Sequence, residues 1–329
     1  MTLQRIVQEV RNFSGITRKK GIGEVLKTLA GVSDFGRTMI GPGDDAAVLE
    51  AGDRYLLLAT DGIVPFLIRK DPYQAGRSSV LVNANDIYAM GGRPIAMVNI
   101  ISGLSGSELA EVLRGMREEC QRLCIPMVGG HFIPEDDTLS LVVSVLGEAK
   151  AILAGSSAMP GDDIVLAIDL DGRRWGDFIA NWDSHYRKSK DKLCGDLEVL
   201  VSLAEEGLCS GARDVSMSGI LGTIAMLLEA SCTGGWVDLE RLEVPSCYEP
   251  ADWYKVYPSY GFVLTATPQN TQECIARFHT RGIWARAIGS VEPGQRFLLR
   301  SKGESAVLYD FSKDSVIGMT MEKRHHEPG

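Results

Sequence analysis

Basic charge is the first thing this 329-residue chain is short of. Its 34 Lys and Arg face 43 Asp and Glu, a formal net charge of −9. A nucleic-acid binder normally presents a basic face, so that class is set aside. No apolar run reaches the roughly 18 residues that cross a bilayer. The opening Met1-Thr2-Leu3-Gln4-Arg5 lacks the apolar stretch of a signal peptide, so a cytoplasmic protein with no membrane partner is expected. The seven cysteines (Cys120, Cys124, Cys194, Cys209, Cys232, Cys247 and Cys274) are odd in number and contain no CxxC pair. That pattern argues against a disulfide framework and for reduced, mostly buried thiols. Cys120 and Cys124 lie one helical turn apart and read as core or near-core residues, since no His completes a metal set nearby. No GxxxxGK[ST] string occurs, which excludes P-loop phosphate chemistry. Low-complexity tracts, short repeats and heptads are also missing.

What the chain does have is acid in particular places. Hydrophobic residues at 45% and charged residues at 23% describe an ordinary globular composition. Four short stretches fall at the ends of expected elements: Gly43-Asp44-Asp45, Thr60-Asp61, Asn83-Ala84-Asn85-Asp86 and Asp214-Val215-Ser216. Carboxylates there are poor core material and good ligands for a hard cation, which usually carries phosphates as well. The alternatives are ordinary. Asp44 or Asp45 could end a strand in a Gly-Asp turn, Asp86 could be an exposed helix residue, and Asp214 could cap the helix that follows.

The periodicity supports an α+β chain. Residues 46–49 and 54–60 read as strands joined at Ala51-Gly52-Asp53. With Glu50 opposite Arg54, Asp44 comes close to Asp61 at the open end of this hairpin. A helix is expected over 73–90, with Asn83, Asp86 and Met90 on a face separate from its apolar one. Gly91-Gly92 ends it. A strand over 94–101, an amphipathic helix over 107–123 and a strand over 138–146 complete a ββαβαβ unit. Residues 151–161, rich in small residues, mark the domain boundary. The second half alternates strands at 164–170, 212–215, 261–267, 283–288 and 296–300 with helices at 193–206, 219–230 and 270–281.

These residues carry a resemblance. Gly43-Asp44-Asp45-Ala46-Ala47-Val48-Leu49, Thr60-Asp61-Gly62, Val82-Asn83-Ala84-Asn85-Asp86-Ile87-Tyr88-Ala89-Met90-Gly91-Gly92-Arg93-Pro94, Gly129-Gly130-His131 and Asp214-Val215-Ser216-Met217-Ser218-Gly219 occur in the order and spacing of the AIR synthase superfamily. That superfamily includes aminoimidazole ribonucleotide synthetase, thiamine-monophosphate kinase and selenophosphate synthetase. The chain most resembles its uncharacterised AIR synthase-related members. The resemblance spans roughly residues 40–300. It implies an α+β, two-domain PurM-like fold, with an N-terminal mixed sheet forming a barrel across a homodimer and a C-terminal α/β sandwich-like domain. The expected division is 1–35 as a flexible N-terminal segment with a phosphate lid, 36–155 as the ATP/Mg-binding and dimerisation domain, 156–315 as the C-terminal domain, and 316–329 as a polar tail.

The resemblance also implies ATP with Mg²⁺ and phosphoryl transfer to a small-molecule substrate. Asp44, Asp45, Asp61, Asp86 and Asp214 would hold the metal. Thr60, Asn83, Gly129 and Gly130 would join the first four around the nucleotide. Three places depart from the known relatives. His131 stands where thiamine-monophosphate kinases carry Asp and selenophosphate synthetases carry His; it reads as a phosphate or substrate contact, an acid/base, or a packed loop residue. Ser14-Gly15-Ile16-Thr17-Arg18-Lys19-Lys20 resembles a glycine-rich loop ending in a catalytic Lys, but lacks that loop's Cys or selenocysteine. Lys19 or Lys20 would then close over phosphate, or the run is simply solvated. Met217 replaces the second Asp of a DxSDG string. Clustered Arg173, Arg174 and Trp182 suggest a site for an anionic or flat substrate, against the plainer reading of a surface loop. A non-catalytic nucleotide-binding subunit is the alternative function.

Overall fold

The computed structural model describes residues 2–134, 137–175, 181–257 and 261–318. Three helices open the chain: α1 (Leu3–Arg11), α2 (Ser14–Thr17) and α3 (Ile22–Leu29). The segment expected to be flexible is thus helical. Leu3, Ile6, Val7 and Val10 recur at helical spacing, and this stripe of α1 is buried in the core of the second half of the chain. The last residues, 319–329, lie outside the described residues.

The first domain holds β1 (Thr38–Ile40), β2 (Ala47–Ala51), β3 (Arg54–Gly62), α4 (Pro65–Lys70), α5 (Pro72–Ala89), β4 (Arg93–Ser102), α6 (Gly106–Leu123), β5 (Met127–Ile133) and β6 (Ser140–Ala149). Its mixed sheet runs β1-β2-β3-β6-β4-β5, with β4 and β5 parallel across the α6 crossover. β5 was not expected as a strand. It carries Gly129-Gly130 at its centre, poor strand formers, and it survives as an edge strand. The hairpin register also differs from expectation by one residue. Ala51 faces Arg54 and Glu50 faces Tyr55, because Gly52 and Asp53 alone make the turn, Gly52 at φ +73°.

α5 has no separate polar face. Fifteen of its residues from Gln74 to Ala89 are buried, Asn83 and Asp86 among them, and Met90 beyond it is core. It lies between the first sheet, α6, and elements of the second domain. Its contact with α6 is close enough that a Cβ at Gly76 would stand 2.1 Å from the Val112 carbonyl oxygen.

The second domain continues with β7 (Asp163–Ile168), β8 (Arg173–Arg174), β9 (Trp182–Asp183), α7 (Lys190–Glu205), β10 (Gly211–Asp214), α8 (Gly219–Ala230), β11 (Gly234–Asp238), α9 (Pro250–Trp253), β12 (Gly261–Ala266), α10 (Pro268–Thr280), β13 (Trp284–Glu292), β14 (Arg296–Ser301) and β15 (Glu304–Asp310). Seven strands form one sheet in the order β10-β12-β7-β13-β11-β14-β15. α8 is buried along its whole length, as its near-continuous apolar sequence requires. The architecture is the expected two-domain α+β PurM-like fold.

The thiols depart from expectation. All seven are free, but only Cys274 is fully buried; Cys124, Cys232 and Cys247 are exposed. Cys124 is not in the helix core. It is the C-cap of α6, at φ 59°.

Candidate active site

Asp44 and Asp45 precede β2, Asp61 sits near the end of β3, and Asp86 lies in the last turn of α5. From the second domain, β10 presents Arg213 and Asp214 to the same region. The Nη1 of Arg213 donates to Asp45 Oδ1 at 2.9 Å, its Nη2 donates to the Gly43 carbonyl at 2.6 Å, and Asp44 Oδ1 lies 3.4 Å from Nη2. The Asp214 amide donates to Asp45 Oδ2 at 3.1 Å. Gly155, between the domains, passes so close that a Cβ there would meet Arg213 Nε at 2.5 Å and Asp44 Oδ1 at 2.6 Å. The two domains are therefore keyed together at the carboxylates.

Arg213 escaped the sequence reading. The one available signal was an arginine inside a four-residue strand buried throughout, where a charge needs a buried partner.

The electrostatics of the cluster are strained toward protonation. Burial is the largest influence on Asp86 and Asp214, and the neighbouring carboxylates add to it, pushing both well above the usual range. Asp45 is pushed up to about 6 by burial and by Asp44, against the pull of Arg213. Asp44 is raised by burial, with Arg213 opposing. Asp61 is also raised, first by the protein packed around it and against the pull of Lys19. Its side chain still reaches solvent, so water screens it more than Asp86 or Asp214. Lys19 acts on Asp45, Asp61, Asp86 and Asp214 alike. Lys20 is exposed, and Lys19 is half-buried. The structure thus separates two lysines that the sequence could not.

These residues suit a hard divalent cation. Every donor is a carboxylate or amide oxygen, and the buried side-chain oxygen of Asn83, one turn before Asp86, accepts no hydrogen bond among the described residues. Asn83 Nδ2 is held by the Ser79 carbonyl at 2.9 Å. Among the described residues no three metal-binding side chains are already gathered around one point. Mg²⁺ does not demand that, because it keeps waters and takes one or two carboxylates together with phosphate oxygens. Asp61, Asp86 and Asp214 would hold it; Asp44 and Asp45 are already paired with Arg213. Beside Asp61 and Asp214 opens a recess walled by Val64, Leu67, Val82 and Met217.

Other expected site residues lie elsewhere. Thr60 alternates to the opposite face of β3 from Asp61, and its hydroxyl donates to the Val143 carbonyl at 3.1 Å. Gly129, Gly130 and His131 sit on β5, exposed, three strands from β3 or roughly 14 Å across the sheet. They do not join the carboxylates within one chain. Trp182 is not available as a substrate platform. It is buried, its Nε1 donates to the Asp169 carbonyl at 2.9 Å, and its ring packs edge-on against Trp253 at 5.3 Å. Arg173 and Arg174 are exposed, over the rings of Tyr186 and Tyr248 at 3.7 and 5.7 Å. The adjoining segment clamps the domains together. Arg77 of α5 pairs with Glu119 of α6 at 2.9 Å and with Asp183 of β9 at 3.0 Å, and Glu119 also pairs with His185, all buried. Burial pushes Glu119 up, but His185, Arg77 and Arg122 hold it down at about 2.

Comparison with known proteins places the chain in context. Residues 43–149 match the family model for AIR synthase related protein, N-terminal domain, and residues 163–302 match that for AIR synthase related protein, C-terminal domain. The chain is 38% identical to the uncharacterised protein MJ0640 of Methanocaldococcus jannaschii, over 97% of this chain and 100% of that one. It is 37% identical to the uncharacterised protein sll0787 of Synechocystis, over 84% and 86%. A selenide, water dikinase of Geobacter metallireducens is 27% identical over 83% and 92%. Among solved structures, AaThiL complexed with AMPPCP and TMP superposes with a TM-score of 0.64 at 18% identity, covering 85% of this chain and 92% of that one. Thermotoga maritima PurL complexed with ATP gives 0.72 at 16% identity, covering 94% and 52%. These two likenesses concern the fold.

Proposed function

Because this chain belongs to the AIR synthase-related protein family, we propose that it transfers a phosphoryl group from ATP to a small molecule with Mg²⁺ at the carboxylate cluster. The observation that carries this reading is the convergence of five carboxylates from two domains around Lys19 and Arg213. Such an excess of negative charge, buried at every carboxylate but Asp61, is costly unless a cation completes it. Phosphoryl transfer asks a protein mainly for positioning and charge neutralisation, and this arrangement offers both. Magnesium, when bound, would supply neutralisation of the phosphate oxygens.

The remaining work falls to side chains. Asp61, Asp86 and Asp214 hold the cation. Asn83 fixes the α5 end of the site. Lys19 lies close enough to interact with the cluster and is the candidate to approach the transferred phosphate. Arg213 keeps Asp44 and Asp45 in place, and thereby the spacing of the domains. The apolar-walled recess beside Asp61 and Asp214 is the candidate seat for the acceptor, shielded from water by Val64, Leu67 and Met217. The product is a stable phosphate ester or a reactive phosphate that is then displaced.

A second chain belongs to this reading. Leu58, Val98, Ile100 and Leu146 leave an apolar face of the first sheet 38–50% exposed, which favours a homodimer through that sheet. His131, Gly129 and Gly130 share that face or its edge.

Isothermal titration of ATP with and without Mg²⁺ tests the site. We expect Mg²⁺-dependent binding; no binding under either condition would overturn the proposal. ATP turnover with a metabolite panel then tests catalysis. Binding without turnover would favour a non-catalytic nucleotide-binding subunit, to which the Met217 replacement also points.

A further inference from the structure

We propose that Cys124 and Cys194 form a thiol modification site that closes to a disulfide between the two domains. Cys124 caps α6 of the first domain, and Cys194 sits in the first turns of α7 of the second. Both sulfurs hang on the same turn. Cys124 Sγ donates to the Gln121 carbonyl at 3.9 Å, and Cys194 Sγ donates to the Arg122 carbonyl at 3.5 Å. The two thiols thus flank one turn of α6, near enough to influence each other, and Lys190 of α7 stands beside Cys124. Cys124 is exposed and forms part of the wall of an open groove with Met116, Arg117, Cys120 and Pro126. Cys194 is half-buried, and burial pushes its thiol up.

This division of labour sets the order of events. An incoming disulfide such as glutathione disulfide reaches the exposed sulfur first, and the Lys190 ammonium stands beside that sulfur. Cys124 displaces one glutathione thiolate and becomes a mixed disulfide. The Cys194 thiol then loses its proton and attacks the Cys124 sulfur, releasing the second glutathione. Two protein thiols are oxidised, and one glutathione disulfide is reduced to two glutathiones. The product tethers α6 to α7 and fixes the domain spacing on which the carboxylate cluster depends.

A second pair competes. Cys209 and Cys274 lie 3.4 Å apart, sulfur to sulfur, but Cys274 is wholly buried and Cys209 half-buried. An attacking disulfide reaches them only after Cys124.

The test uses the full chain without nucleotide, so its outcome is separate from the phosphoryl-transfer reading. The protein is treated with glutathione disulfide, alkylated, digested without reduction and mapped by mass spectrometry. The expected result is a cross-linked pair of peptides bearing Cys124 and Cys194, with both alkylation sites lost. Cys120→Ser should leave the pair intact, and Cys194→Ser should leave Cys124 carrying glutathione. Full alkylation of Cys124 and Cys194 after treatment, a Cys124–Cys120 bond, or a Cys209–Cys274 bond formed first would each overturn the proposal. The wild-type map decides the matter even if a variant fails to fold.

Discussion

Arg213 Nη1 donates to Asp45 Oδ1 at 2.9 Å, so the second domain holds the first by a buried charge pair inside the site itself. Removing one partner of such a pair leaves the other buried and unpaired. Arg213→Ala should therefore destabilise the chain by about 3–5 kcal/mol in urea unfolding. Arg213→Lys should recover only part of this, because a lysine cannot reach Asp45, Asp44 and the Gly43 carbonyl together. A stability loss below about 1 kcal/mol for the alanine variant would mean the pair is solvated.

The carboxylates facing Lys19 should behave in the opposite way. Asp61→Asn with Asp86→Asn removes like charge that burial and neighbours already penalise. Without ligand, the double variant should unfold at an equal or higher temperature than the native chain. Calorimetric titration should show that it has lost Mg²⁺-dependent ATP binding. Unchanged affinity in that variant would sink the assignment of these two residues.

Lys19 and Lys20 should separate cleanly. Lys19 acts electrostatically on four of the carboxylates, while Lys20 is exposed. Lys19→Ala should weaken ATP binding or turnover by roughly ten-fold or more, on the order of one charge-assisted contact. Lys20→Ala should stay within about two-fold of the native chain, a change too small for a lost contact of that kind. The reverse ranking in the same assay would move the lid residue to Lys20.

Stability should depend on pH with two opposed limbs. Asp45 lies at about 6 in the folded chain against an ordinary 3.8, so the folded state holds the extra proton between these values. Its contribution favours folding as pH falls from about 6 towards 4 and is lost as pH rises through 6. Glu119 is held at about 2 against an ordinary 4.5, so its contribution is present above 4.5 and fades as pH falls toward 2. Thermal unfolding of the ligand-free chain should show a maximum in mildly acid solution. Asp45→Asn should make the neutral side shallower, the other raised carboxylates keeping part of it, while leaving the acid side. Mg²⁺-nucleotide affinity should run the other way and weaken as pH falls, since Asp86 and Asp214, which burial and neighbouring carboxylates push well above the usual range, must lose their protons to bind the cation.

Much of this site was legible because its residues sit in local strings. The hairpin, α5 and the strand-to-helix step at Asp214 each follow from spacing and turn chemistry over a few residues. What escaped depends on distant parts of the chain. Trp182 reads as an exposed aromatic until Tyr248 and Trp253, some seventy positions later, enclose it. Arg213 looks like strand filler until Asp44 and Asp45 arrive from the other domain. The polar face assigned to α5 vanished because second-domain elements cover it. The register slip had a local cause that the alternation pattern does not carry, the two-residue turn at Gly52 and Asp53.

The exposed face of the first sheet supplies the last prediction. Leu58, Leu146, Val98 and Ile100 are neighbours across β3, β6 and β4, opposite the face that α5 covers. A monomer would leave this apolar ladder in water, at a cost of about 25 cal/mol for each Å² that a partner could cover. Light scattering at micromolar concentration should therefore give twice the chain mass. Ile100→Glu should give the monomer, because a charge buried at the centre of the face costs several kcal/mol, about a thousand-fold or more in dimer affinity. Far-ultraviolet circular dichroism should be unchanged, since Ile100 points away from the core. If the native chain is already monomeric, the homodimer reading fails, and with it the route by which His131 could approach a partner's site.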